Sequence, residues 1–230
     1  MADIIIKNDG QGVVITRSSY NGQTAISDQG VSICRKSGLI HSGKVGSGRV
    51  YLLIDCSSSM ANGDKLAQAG KGAADFAKEA QNKGYKVGLI RFASGADCVC
   101  EPQTEMSTLL QHLEHLQASG YTDMAKALGL ALEMLGDGVG SRVVVLITDG
   151  MPDNQGEALA VAKVMMAKGV DIIAIGTDDA DRGFLEQIAT KTDLAVMVSR
   201  ERLGQGIAAT ISKLPMLSEV KQKKLLDPSK

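Results

Sequence analysis

Residues 51–60, YLLIDCSSSM, run four apolar or aromatic residues straight into an aspartate, a cysteine and three serines. Val50 and Arg49 extend the run backwards, so RVYLLID reads as a buried strand ending in a carboxylate. Four further runs follow at regular spacing: KVGLIRF (86–92), SRVVVLIT (141–148), VDIIAIG (170–176) and DLAVMV (193–198). The stretches between them have helical period. In the first, Leu66, Ala69, Ala73, Phe76, Ala77 and Ala80 recur at steps of three and four, which makes one apolar stripe. Asn62 or Asp64 is placed to cap that helix, and Gly84 to stop it. Further helices are expected over 105–117, 123–136, 155–168, 181–191 and 201–213, with a short extra strand, ADCVCEP, over 96–102.

Strands that are apolar throughout, separated by amphipathic helices, imply a mostly parallel sheet covered on both faces. The fold class is therefore α/β, doubly wound, with the 49–55 strand central and the crossovers right-handed. Ligands of such sheets sit outside the carboxyl ends of the strands, where the strand order reverses. DCSSS lies at such an end. Residues 1–48 differ: DIIIKNDGQGVVITRSS and AISDQGVSICRKSG each place turn residues between two apolar runs and read as β-hairpins. HSGKVGSG (41–48) is a flexible join. The expected division is a hairpin extension over 1–48, a main domain over 49–213 and a polar tail over 214–230, either a short amphipathic helix or disordered.

Composition bounds the chemistry. A chain of 230 residues can bury roughly 70% of its unfolded surface and needs no staples. A formal net charge of −1 argues against an electrostatic grip on nucleic acid or on a membrane surface. No segment approaches the ~18 apolar residues of a membrane span, and MADIIIKNDG has too short an apolar run for a signal-peptide core. Cys34, Cys56, Cys98 and Cys100 do not form a disulfide pattern and are expected as reduced thiols in a cytoplasm.

Asp55, Ser57 and Ser59 follow an every-second-residue spacing on the loop leaving the central strand. SGYTDMAKAL (119–128) puts Thr122 and Asp123 at the mouth of a helix, and VVVLITDGMPD (143–153) puts Asp149 at the end of another long strand. If those strands are neighbours, two carboxylates and three hydroxyls meet. Such donors suit a hard divalent cation; Mg²⁺ takes six oxygens at ~2.0–2.1 Å and keeps several waters. Two carboxylates cancel its charge while the hydroxyls add none, so an external carboxylate is the natural further ligand.

The pattern resembles the von Willebrand factor type A domain family and its metal-ion-dependent adhesion site, over roughly residues 49–213. The family motif is Asp-x-Ser-x-Ser, a Thr on a second loop and an Asp on a third. Asp55, Ser57, Ser59, Thr122 and Asp149 match it in register. The resemblance implies Mg²⁺ or Mn²⁺ held by these five residues, a protein partner that presents an Asp or Glu to the metal, and no enzymatic activity. It suggests an intracellular module of bacterial style that scaffolds or regulates an assembly. Ser58 stands where members often carry Gly, which stiffens the loop without removing a ligand.

Competing readings are weaker. Ser57 to Ser59 capping the next helix, with Asp149-Gly150 as a mere turn, explains each residue singly but not all five together. An Mg²⁺-dependent aspartyl phosphotransferase would use Asp55 as nucleophile, but it needs a second acid where Ser57 stands, and no lysine occupies an obvious supporting position. A structural subunit with an incidental metal site is a third possibility. GLIHSGKV (38–45) lacks the hydroxyl of a phosphate loop. The spacing of Cys56, Cys98 and Cys100 is wrong for structural zinc, and His112 with His115 lack a third ligand. DDAD (178–181) is expected to cap the following helix.

Overall fold

The computed structural model of the chain describes residues 48–217 except 104 and 139, together with the backbone of 3–8 and 13–18. Among the described residues, six strands and six α-helices follow a short N-terminal ribbon. That ribbon is β1 (Asp3–Asn8) paired antiparallel with β2 (Val13–Ser18), and it is separate from the main sheet. β1 lies beside α3 and β2 beside α4. The expected second hairpin (25–38), the 41–47 join, Cys34 and the tail beyond 217 lie outside the described residues.

The main sheet contains β3 (Gly48–Asp55), β4 (Tyr85–Phe92), β5 (Ala96–Gln103), β6 (Arg142–Thr148), β7 (Asp171–Thr177) and β8 (Ala195–Val198). Their order is β5-β4-β3-β6-β7-β8, so β3 is central. All neighbours are parallel except β4 and β5, which follow each other directly and pair antiparallel. The chain goes from β3 to β4 on one side and returns to β6 on the other, which puts the switch point between β3 and β6.

Val50 to Ile54 are fully buried, as the unbroken apolar run requires of a strand covered on both faces. Each such side chain contributes roughly 1.5–3 kcal/mol relative to exposure. The covering helices are α1 (Lys65–Asn82), α2 (Met106–Glu114), α3 (Met124–Leu135), α4 (Gln155–Ala167), α5 (Arg182–Ile188) and α6 (Leu203–Ala209). α1 turns Ala69, Ala73, Phe76, Ala77 and Ala80 into the core, as its stripe dictates, and Gly84 leaves it at positive φ. Leu66 lies only partly buried; the fully buried start of the stripe is Lys65. The core continues to Leu214, which is buried, and Leu217 packs against it.

Candidate metal centre at the strand ends

Register brings the acids together. Arg49 to Ile54 pair with Arg142 to Ile147, so Asp55 comes level with Thr148, and Asp149 follows one residue on. The Thr148 hydroxyl donates to Asp55 Oδ2 at 2.6 Å across this seam. Beyond Asp55 the chain turns sharply. The Ser57 N–H donates back to Asp55 Oδ1 at 2.8 Å, an Asx-type turn. A single 3-10 turn, Ser58–Ala61, follows and is anchored by buried Met60.

The serines do not act as caps. Ser57 stands at the N-cap of that turn but makes no side-chain capping bond. Its hydroxyl is instead bonded to the Ser59 hydroxyl at 3.0 Å, and the Ser59 hydroxyl donates to Asp149 Oδ1 at 2.7 Å. Ser58 is exposed. On the second loop Asp123 caps α3 by accepting the Lys126 N–H, which leaves Thr122 outside the helix. The Ser119 N–H donates to Cys56 O and the Ser58 N–H to Gly120 O, tying this loop to the first. The Thr122 N–H donates to Asp153 Oδ2 at 3.1 Å and the Asp153 N–H to Thr122 O at 3.0 Å, tying it to the third. Asp55, Ser57, Thr122 and Asp149 are buried and Ser59 is half-buried. Thr122 is 8% exposed although it stands on a loop, and its neighbour Tyr121 is the projecting residue at 73%.

Three charged groups join the cluster unannounced: Lys65, Asp179 and Arg200. Lys65, the first residue of α1, is 2% exposed, and its ammonium donates to Asp149 Oδ2 at 2.5 Å and to Asp179 Oδ2 at 2.8 Å. Burial works against that charge, but bonding to the two carboxylates outweighs it and holds the ammonium's pKa above its usual value. Arg200 also donates to Asp179 Oδ2, at 2.7 Å. Bonds from Lys65, then Arg200, hold the Asp179 carboxyl below the usual carboxylate range. A lysine therefore does stand in the site, engaging Asp149 and Asp179 rather than Asp55. One signal of Lys65 was present in the sequence: it stands four residues before Ala69, on the apolar stripe, just after the serine loop. The acidic run 178–181 is also divided: Asp181 caps α5 through the Phe184 N–H, while Asp179 belongs to the cluster.

The two central acids differ in what balances them. Asp149 faces Lys65. Asp55, fully buried, is paired with no ammonium or guanidinium among the described residues; only dipoles from Ser57 and Thr148 meet it. Burial pushes its carboxyl pKa up, the bonds from Ser57 and Thr148 oppose that, and the Asp149 charge adds to it. A buried carboxylate without a counterion is costly, and hydroxyls arranged beside it fit a hard cation. Among the described residues no three His, Cys, Asp or Glu side chains form a metal-binding group, so a metal here would need hydroxyl oxygens as well as the acids. Cys98 is half-buried, Cys100 buried, and both are free thiols. His115 Nδ1 is bonded to Gln111 O on the exposed end of α2.

The model of the von Willebrand factor type A domain matches residues 50–209, which include all five motif residues. The chain belongs to this family. No curated protein matches it. Among solved structures, the type A domain of the type V pilus tip protein Mfa5 from Porphyromonas gingivalis superposes with a TM-score of 0.68 at 13% identity, over 74% of this chain and 96% of that one. The pilus adhesin SpaC from Lactobacillus rhamnosus GG gives 0.66 at 17%, over 74% of this chain and 31% of that chain. Proximal thread matrix protein 1 from the mussel byssus, with a zinc-occupied adhesion-site motif, gives 0.61 at 22%, over 72% and 47%. At these identities the likeness establishes the fold. The type A domain described here spans less than half of the adhesin and of the byssus protein. No described helix is long and apolar enough to cross a membrane.

Proposed function

We propose that this type A domain is a divalent-metal-dependent protein-binding module of a scaffold or regulatory kind. Asp55, Ser57, Ser59, Thr122 and Asp149 hold Mg²⁺ or Mn²⁺, and a partner Asp or Glu completes the coordination. The observation that carries this reading is the uncompensated, buried Asp55 carboxylate beside serine hydroxyls that bond into the cluster rather than cap a helix. A divalent ion there supplies Lewis acidity toward an external carboxylate. Asp55 provides the charge that no side chain balances, and Thr122 and the serines provide neutral oxygens that leave room for an outside ligand.

The rim supports a protein as the ligand. Three large apolar side chains are exposed among the described residues: Tyr121, Met151 and Met216. Tyr121 adjoins Thr122 and Met151 follows Asp149 by two residues, so two of the three stand at the mouth of the site. Aromatic and Met side chains beside a specific polar anchor are what protein interfaces enrich.

The phosphotransferase reading loses ground even with a lysine present. Both Asp55 oxygens already accept bonds, the residue is fully buried, and Lys65 is engaged by Asp149 and Asp179 rather than by Asp55. A nucleophile needs an open line to its substrate.

Thermal unfolding with Mg²⁺ or Mn²⁺ tests the metal site. An ion at 100 times its dissociation constant stabilises by ~2.7 kcal/mol, which raises Tm by roughly 5 °C or more for a domain of this size. Asp55→Ala should abolish the rise, and an equal rise in that variant sinks the assignment. Partner capture in Mg²⁺ and in chelator, with the captured protein then titrated in both, tests the recognition step.

A further inference from the structure

Lys65 is the one feature of the site that works against a metal. Its ammonium sits on Asp149 Oδ2 while the Ser59 hydroxyl sits on Oδ1, so both oxygens of that carboxylate are engaged. A neutral hydroxyl turns its oxygen toward an arriving cation without repulsion. An ammonium has no lone pair to turn and repels a dication at close range through a low-dielectric interior. The same ammonium also reaches Asp179, which is 48% exposed and already anchored by Arg200. Asp179 is thus a second, fixed resting place for the charge, within bond distance of the position it now holds.

We infer that Lys65 is a built-in competitor for Asp149, shared with Asp179 so that the ammonium passes to Asp179 when a divalent ion takes Asp149, and that this exchange sets the affinity of the site. The inference rests on the metal-binding reading above. Lys65 is a positioning residue: it fills Asp149 in the metal-free protein, keeping a buried acid compensated, and yields it on loading. Asp179 and Arg200 form the acceptor side of the exchange. The consequence is a site that folds without metal yet binds it less tightly than its acids alone would allow.

The cation of α1 and the acid of the β7–α5 loop should therefore act in opposite senses. Lys65→Met keeps the apolar stem, removes the charge and should tighten Mn²⁺ binding by about tenfold, equal to ~1.4 kcal/mol. The metal-free Tm of that variant should fall, because Asp149 is left buried and unpaired. Asp179→Asn should weaken Mn²⁺ binding several-fold, since the ammonium then stays on Asp149. In the Lys65→Met background Asp179→Asn should have little effect, and that non-additivity separates an exchange from general loss of negative charge.

The experiment is Mn²⁺ titration of the full chain, read by the loss of free-ion paramagnetic resonance signal and by calorimetry. The proteins are wild type, Asp55→Ala, Lys65→Met, Asp179→Asn and the double variant. Unchanged or weaker binding in Lys65→Met, with wild type binding and Asp55→Ala not, overturns the exchange and leaves the metal site standing. Mn²⁺ bound equally by Asp55→Ala, or by none of the proteins, overturns both. Should Lys65→Met fail to fold, Asp179→Asn alone decides: its surface position spares the core, and wild-type affinity in it refutes the role of Asp179.

Discussion

Asp55 and Asp149 end adjacent strands and are equally buried, yet one is balanced by a lysine and the other by dipoles. That asymmetry assigns different tasks to neighbouring oxygens. Thr122, the fifth member of the proposed set, is itself buried, so a change there must preserve shape to be informative. Thr122→Val keeps the branched volume and deletes only the hydroxyl. It should leave metal-free stability within about 1 kcal/mol of wild type but weaken Mn²⁺ binding by about tenfold, the loss of one polar contact to a charged centre. Thr122→Ser restores the hydroxyl and should restore the affinity. Equal Mn²⁺ affinities in wild type, Val and Ser proteins would remove Thr122 from the site, leaving its backbone bridge to Asp153 as its contribution.

At the scale of elements, α1 carries the burden of placing Lys65. Its far side meets α6 through two glycines. A Cβ on Gly72 would lie 2.5 Å from Gly204 O and 2.8 Å from Gly204 Cα, which are backbone atoms unable to swing aside. The helices touch there because neither has a side chain in the way. Gly72→Ala must push α1 and α6 apart, and overpacking of this kind destabilises by about 1–3 kcal/mol despite the gain in helix propensity. Chemical denaturation should show that loss, and a stabilised variant would mean that α6 moves freely. The elements themselves were legible: β3, β4, β6, β7 and the six helices follow from apolar runs and stripes, within a few residues at each end. So was the meeting of the three loops, because residues at strand ends were read together. Of Lys65 only its place on the apolar stripe was legible, and its meeting with Asp179 and Arg200 was not. Their meeting depends on where the start of α1 and the β7–α5 loop come to rest, which is a matter of tertiary placement and leaves no short-range spacing. Asp179 was hidden further by standing two residues before a genuine cap, Asp181.

Across the whole molecule, the sheet interior holds several weak acids in protonated form. Burial, with the Asp55 charge next, pushes the Cys56 thiol up to about 12 from 9.0. Burial also raises the Tyr51 phenol, aided by Cys98, and the Tyr85 phenol, whose hydroxyl donates to Pro215 O at 2.7 Å and pins the end of the described chain to the base of β4. Each of these groups has a higher pKa folded than unfolded. Their contribution to stability is therefore complete below the unfolded values and is lost as pH rises through the interval up to the folded ones. For Cys56 that interval runs from 9.0 to about 12. Within it the unfolded chain has released a proton that the folded chain retains, so stability falls by ~1.4 kcal/mol per pH unit for this thiol alone. Stability measured by urea denaturation should be level between pH 7 and 8 and decline from about pH 9 upward. Cys56→Ala should flatten the decline between pH 9 and 10.5 by one proton's worth, even if the variant is less stable at neutral pH. A slope identical to wild type would mean that water reaches the Cys56 sulfur, and with it the interior side of the Asp55 turn.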